Sequence, residues 1–331
     1  MSQPKPRRDE ESTFTVLLAL GANVGVGVLK LVAGLLSGSA ALLSEAAHSA
    51  GDCTTELFLL VAQRRSNKRA DRSHPFGYGK ELYFWSMLAA VAIFVSGAGF
   101  SFYEGIHTVT GGGEASSRLW INYPVLALAA ILEGISLRQA AAQMRRETNR
   151  TRRSLRAYVR TPRDPTVNSV LLEDSAAIIG LVIAAAGVGL HQLTGAAVWD
   201  GAASIAIGVL LLAVTIVLAR ACEGLLIGRQ ADQRLIDQFV AFLEEQEEVD
   251  DVVDVLTMLV GTDSVLLCTR VDFVDSFSAA DLERACVRVD GQLRERFPML
   301  GEVFIQPASR RDPTLRRRVE NRYGHALADE V

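Results

Sequence analysis

The chain has 331 residues, enough for more than one folding unit. Its 34 basic and 38 acidic residues leave a net charge of −4, which offers no basic footprint for nucleic acid. Four scattered cysteines, Cys53, Cys222, Cys268 and Cys286, form no CxxC; this fits a reduced compartment and argues against a disulfide scaffold or a thiolate metal centre.

The opening segment, residues 1–13 (MSQPKPRRDEEST), is basic and then acidic. It has no apolar core or cleavage pattern of a secretory signal or transit peptide, and is expected to be a cytosolic tail. Long apolar runs follow. A hydrocarbon core of ~30 Å requires about 20 apolar residues in a helix. Five stretches meet that length: 14–37, 82–104, 119–137 with an extension to 143, 167–190 and 197–221. A sixth, 39–63, is broken by SEAAHSAGDC (Ser44–Cys53) and alone resembles a soluble helix. The link between the first two runs is too short to return across a bilayer, so 39–63 is expected to be the returning span.

Basic residues sort by side. Lys5, Arg7 and Arg8 precede the first span; Arg64, Arg65, Lys68, Arg69, Arg72 and Lys80 lie between the second and third. Eight arginines from Arg145 to Arg163 lie between the fourth and fifth, where they could also touch anionic lipid. The other links carry little beyond Arg118. Such alternation predicts six spans over residues 14–228 with both termini cytoplasmic.

From Gln230 onward the pattern is that of a soluble domain. Leu235, Ile236, Phe239, Val240 and Leu243 recur at helical spacing. Strand-like runs at 252–260 and 265–273 flank the turn GTDS, a capped helix is predicted for 278–297, and a last strand for 303–306. The order helix–strand–strand–helix–strand predicts a cytosolic α+β domain of ferredoxin-like type over 229–308, with helices on one face of the sheet. The acidic run Glu244–Asp251 reads as a solvated helix end. Residues 309–331 are charged and are expected to be disordered or a loose helix.

Within SEAAHSAGDC, Glu45, His48 and Asp52 follow one another at spacings of three and four, and His48 and Asp52 stand one above the other on one helical face. An aspartate at mid-membrane costs on the order of 3 kcal/mol on insertion scales, so such a group faces the bundle interior and has a partner. A polar clasp between helices is one reading; an ion site is the other, favoured by the His/Asp pair. The fifth run, NSVLLEDSAAIIG, supplies Glu173 and Asp174, which as neighbours cannot point the same way. Asp174 lies ~13 Å in from Pro165 and Asp52 ~16 Å in from Gln63, so antiparallel spans place them at similar heights. Glu133, Asn23 and Lys30 are further polar groups in spans; Lys30 either pairs with a carboxylate or snorkels. Asp200 reads as a helix N-terminal residue or a vestibule charge. One imidazole and two or three carboxylates suit Zn²⁺, and also Mn²⁺, Fe²⁺ and Co²⁺. Metal binding needs a neutral His48, so metal and proton compete.

These residues carry a resemblance. SGSAALLSEAAHSAGD in the second span, ADRSHPFGYGKE (Ala70–Glu81), YEGIH (Tyr103–His107), VWDGAASIAIG in the sixth span and the α+β tail together resemble the cation diffusion facilitator family. LLEDSAA in the fifth span is similar to its branch of mitochondrial zinc-transporter-like (zinc transporter 9-like) members. The resemblance implies a secondary active transporter rather than an enzyme: a divalent-metal/proton antiporter, zinc foremost, exporting from the cytoplasm. It implies a multi-pass protein, here expected in a bacterial plasma membrane, with no cofactor beyond the transported cation. It also implies a homodimer joined partly through the tail, with His48, Asp52, Asp174 and Glu173 as transport-site ligands. Some members have HxxxD or DxxxD in the fifth span; here Val170 takes the first of those positions. Some build a second site in the link before the third span, which Asp71 and His74 match while Tyr78 replaces a histidine; His74 and Pro75 can instead simply shape the turn. Two rival classes are a membrane-anchored metal-sensing or scaffold protein and an organic-cation transporter. The first leaves the intact His48/Asp52 pair unused, and the second needs a midplane aromatic cavity that the span-end aromatics do not suggest.

Overall fold

The structure is a computed structural model; it describes residues 8–111, 119–151, 165–262 and 264–323. The chain divides into two units: residues 1–64 with 81–223, and residues 65–80 with 224–331.

The first unit is a helical membrane domain. Its helices are α1 (Arg8–Ser37), α2 (Ala40–Ser66), α3 (Glu81–Gly111), α4 (Asn122–Thr151), α5 (Pro165–Thr194) and α6 (Val198–Ile227). Four contain segments that are long and apolar enough to cross a membrane: Glu81–Gly111, Asn122–Ala142, Val170–Thr194 and Val198–Ile227. In α1 the apolar stretch Asn23–Ser37 is shorter. The 27 residues of α2 give it a length of ~40 Å, yet its charges hold it below a span's hydropathy. The first helix begins at Arg8, earlier than the expected limit of the N-terminal tail. Arginines 152–163 lie outside the described residues.

Small residues set the packing of this unit. Ala33, Ala41, Ala98, Ala129, Ala184 and Ala203 sit in one buried cluster with Val26, Leu42, Leu126, Leu181, Ile207 and Leu211. Without a hydrophobic drive between helices in lipid, close approach of small residues and polar contacts must hold them. On α3 and α6 this reaches backbone contact: a Cβ on Gly105 would lie 2.7 Å from the Gly201 carbonyl oxygen and 2.9 Å from the Ile205 nitrogen. Beside it, Ser204 Oγ donates to the Ser101 carbonyl at 2.8 Å and pairs with Ser44 Oγ of α2 at 2.5 Å. Within α3, Ile93–Gly99 is a π-helical segment. A methyl on Gly51 of α2 would meet Ser96 Oγ there at 3.1 Å, so α2 lies close against the widened turn one residue before Asp52.

The second unit contains α7 (Gln233–Glu244), β1 (Val249–Leu259), β2 (Val265–Phe273), α8 (Ala279–Arg296), β3 (Leu300–Pro307) and α9 (Pro313–Tyr323). The sheet order is β1-β2-β3, with β1/β2 antiparallel and β2/β3 parallel. Alternation along β2 buries Val265, Leu267, Thr269, Val271 and Phe273 on one face. Asp232 caps α7, and Ser278 with Asp281 forms a capping box on α8. Of the two expectations for the tail, disorder or a loose helix, residues 313–323 take the helix. Leu315 is buried, and Arg322 Nη1 lies 2.8 Å from Asp254 Oδ2, so α9 has both an apolar and an ionic anchor.

Residues 65–80 belong with this second unit. Gly79 presses on the backbone of Val260 and Gly261, leaving no room for a side chain. Ahead of it, Asp71 organises a turn. Its Oδ1 accepts from the Ser73 and His74 amides, both at 2.9 Å, and its Oδ2 accepts from Tyr78 Oη at 2.7 Å. The Tyr78 hydroxyl bond, followed by the amides, holds the Asp71 carboxyl down at about 2.

Two outcomes follow from these contacts. Gly105→Val should destabilise the detergent-solubilised protein by roughly 1–3 kcal/mol in thermal unfolding, because backbone faces it. Gly134→Ala, where nothing lies within 4 Å, should not. In the turn, stabilisation from Asp71 is present above its unfolded value near ~3.9 and lost as pH falls through about 2. Tyr78→Phe should move the carboxyl titration upward, read by NMR of the Asp71 side chain.

Candidate functional site

The site is built on α2. Three residues of one stripe, His48, Asp52 and Glu56, recur every four positions and so line one face. Burial decides which way that face looks. His48 is 2% exposed and Asp52 16%, so both turn inward rather than to lipid. His48 Nε2 lies 3.4 Å from Asp52 Oδ1, an ion-pair distance that lacks hydrogen-bond geometry.

α5 brings the opposing carboxylates. Glu173 is 8% exposed, and its Oε1 has no hydrogen-bond partner. Asp174, its neighbour, is turned toward α4, where Ser136 Oγ donates to its Oδ2 at 2.7 Å. The charges of Asp52 and His48 act on both Glu173 and Asp174, so the imidazole and three carboxylates share one electrostatic neighbourhood. The neighbouring acidic residues therefore divide their roles: Glu173 keeps a free acceptor, whereas Asp174 shares a hydroxyl.

Two more carboxylates share this electrostatic neighbourhood. Glu56 is held by Asn23 of α1, whose Nδ2 donates to its Oε1 at 2.7 Å, while Oε2 is left without a donor. Glu133 of α4 feels Lys30, Asp52, His48 and Asp174. Glu56 escaped the sequence reading, although its spacing of four from Asp52 continues the stripe and was the available signal.

The remaining candidates lie elsewhere. Glu45, one turn from His48, is ion-paired to Lys30 of α1 at 3.1 Å. The carboxylate of Asp200 caps α2, accepting Ser39 Oγ at 2.8 Å and the amides of Ala40 and Ala41. Those bonds occupy both of its oxygens at the helix N-terminus, where a negative charge is favoured by the backbone dipoles. Asp71 and His74 are in the turn of residues 65–80, with both Asp71 oxygens engaged. Cys268 and Cys286 in the second unit have their thiols pushed up by burial, which keeps them from acting as thiolates.

Chemically, the α2/α4/α5 cluster is an acceptor surplus. Among the described residues, Asp52 Oδ1, Glu56 Oε2 and Glu173 Oε1 are buried acceptors without donors. Such groups are costly unless satisfied, and a cation satisfies several at once. Among the described residues no three His, Cys, Asp or Glu side chains are drawn into a closed metal-binding set.

Comparison with known proteins agrees with this membrane domain. Residues 16–227 match the family described as the cation efflux transmembrane domain. The mitochondrial proton-coupled zinc antiporter SLC30A9 of Xenopus laevis is 33% identical over 279 residues, covering 82% of this chain and 50% of that protein. Metal tolerance protein C4 of Arabidopsis thaliana is 31% identical over 274 residues, 80% of this chain and 58% of that protein. Magnetosome protein MamB of Magnetospira sp. is 36% identical over 94 residues, 28% of this chain and 32% of that protein. The chain thus spans 50% of the length of the first of these relatives and 58% of the second. With a matched domain that covers most of its length and contains the whole His48–Asp52–Glu173–Asp174 cluster, this integral membrane chain belongs to the cation efflux, or cation diffusion facilitator, family of transporters and is not an enzyme.

Proposed function

We propose that the chain is a secondary active antiporter that exchanges a divalent metal, zinc foremost, for protons and exports the metal from the cytoplasm. The observation that carries this reading is the set of buried, donorless acceptors of Asp52 and Glu173 around the inward-facing His48. An imidazole with carboxylates is a donor set that zinc takes readily in tetrahedral form, with Mn²⁺, Fe²⁺ and Co²⁺ as chemical competitors. First ligands are His48, Asp52, Glu173 and Asp174; Asp174 binds by giving up its Ser136 bond. Coupling follows from the ligands themselves. His48 must be neutral and the carboxylates ionised to bind metal, so each metal that arrives displaces protons, and each departure readmits them. The names of the zinc-antiporter relatives support the substrate and the coupling.

The same reading gives six spans, with the arginine-rich ends and both termini cytoplasmic. Burial of Glu45 and His48 supports α2 as a true span, since its charges face helices rather than lipid. A homodimer through the C-terminal unit completes the proposal; Val287, 74% exposed, and Phe304, 52% exposed, are apolar side chains available for it.

The test is metal-driven proton flux in proteoliposomes with Zn²⁺, Mn²⁺, Fe²⁺ and Co²⁺. His48→Ala, Asp52→Ala and Asp174→Ala should each leave less than about a tenth of the wild-type zinc flux while inserting normally, since each removes a ligand or its charge. Transport at the wild-type rate by Asp52→Ala would sink the proposal.

A further inference from the structure

We propose that Glu45 and Ser49 form a second divalent-cation station on α2, beyond His48, which the Lys30 ammonium holds shut. This inference rests on the antiport reading above, because it places the station next to the transport site.

The arrangement is specific. Lys30 Nζ lies 3.1 Å from Glu45 Oε2 and 3.0 Å from Ser49 Oγ. Lys30 is 1% exposed and Glu45 fully buried, so the lysine does not snorkel to either membrane face. A buried ion pair is poor value as a structural fastener: apolar side chains of similar size commonly hold two helices as well or better. In a bundle where alanines and glycines already bring helices together, the pair needs another reason to exist.

Two observations point to a ligand role. The first is that Glu45 Oε1 is buried and has no hydrogen-bond partner among the described residues, so the carboxylate has acceptor capacity that Lys30 leaves unused. It faces Gly180 on α5, where an added methyl would collide with it, so the absence of a Cβ there makes room for this oxygen. The second is electrostatic continuity with the transport site. Glu45 and Lys30 both act on His48, and Lys30 also acts on Glu133. Glu45 and His48 are three residues apart on one helix face, close enough for an ion to pass from one to the other.

The ammonium therefore stands where a cation would sit. A divalent ion at His48 and Asp52 repels it and is in turn prevented from settling at Glu45. To leave past Glu45, the ion must displace Lys30, which returns once the ion has gone. A tethered charge of this kind keeps the station from becoming a trap.

Equilibrium zinc binding to the purified full-length protein tests this. Wild type should bind one zinc per chain. Lys30→Gln should bind two, Lys30→Arg one, and Lys30→Gln with Glu45→Gln one. A single zinc on Lys30→Gln overturns the proposal. Glu45→Gln offers an independent arm, because it leaves the ammonium uncompensated beside His48. Its zinc affinity should fall at least about tenfold, given a unit charge within ~10 Å of a divalent ion in a medium of effective dielectric near 20. Unchanged affinity in Glu45→Gln also overturns the proposal, and this arm decides the matter if Lys30→Gln does not insert. A merely structural clasp predicts instead lower thermal stability in both variants, with zinc stoichiometry held at one per chain in Lys30→Gln. Wild type that binds no zinc would instead remove the antiport reading itself.

Discussion

Ionisable groups inside a hydrocarbon-facing bundle must be satisfied from within it, and α2 is where this constraint bears hardest. Its length crosses a membrane, but it carries Glu45, His48, Asp52 and Glu56. The surrounding helices answer most of that polarity. Lys30 of α1 meets Glu45, Asn23 of α1 meets Glu56, Ser204 of α6 meets Ser44, and Asp200 of α6 meets the helix N-terminus. Among the described residues, the side-chain atoms of α2 left unanswered are Thr55 Oγ1 and one oxygen each of Glu45, Asp52 and Glu56. Stability asks for those oxygens to be paired, and their remaining unpaired is what supports the proposed cation site.

Packing and site depend on the same short distances. Glycines at 105 and 201 bring α3 and α6 into backbone contact, Gly51 brings α2 against the π segment of α3, and Gly180 makes room for Glu45. A bundle held by such contacts resists continuous deformation, because a larger side chain meets backbone rather than free space. The side chains with least to give up on moving are those such as Glu173, whose Oε1 has no hydrogen-bond partner among the described residues, and Asp174, whose Oδ2 is held by one hydroxyl.

In the turn 65–80, the same residue types serve different ends. Asp71 and His74 have the composition of a metal site, and the family resemblance suggested one. In the structure Asp71 spends its oxygens on two amides and a phenol, and Gly79 anchors the segment on Val260. Composition alone cannot separate a ligand from a turn-former; the hydrogen bonds show that Asp71 serves the turn.

Much was legible in the amino-acid order. Apolar run length marked the membrane domain, alternation along Val265–Phe273 marked a strand buried on one face, and the Ser278/Asp281 spacing marked the start of α8. The i, i+4 spacing put His48 and Asp52 on one face, since helical pitch is a local property. Other features were not local. Hydropathy undervalued α2 because it counts charges without knowing that other helices cover them. Helix and disorder were not separable at Pro313–Tyr323 because its anchor, Asp254, is far away in sequence. Sequence fixes which residues share a face of one helix, but not how that helix is rotated and set against another. That rotation, a matter of side-chain packing between elements, is what made Asp200 a cap, paired Glu45 with Lys30, and turned Asp174 toward Ser136.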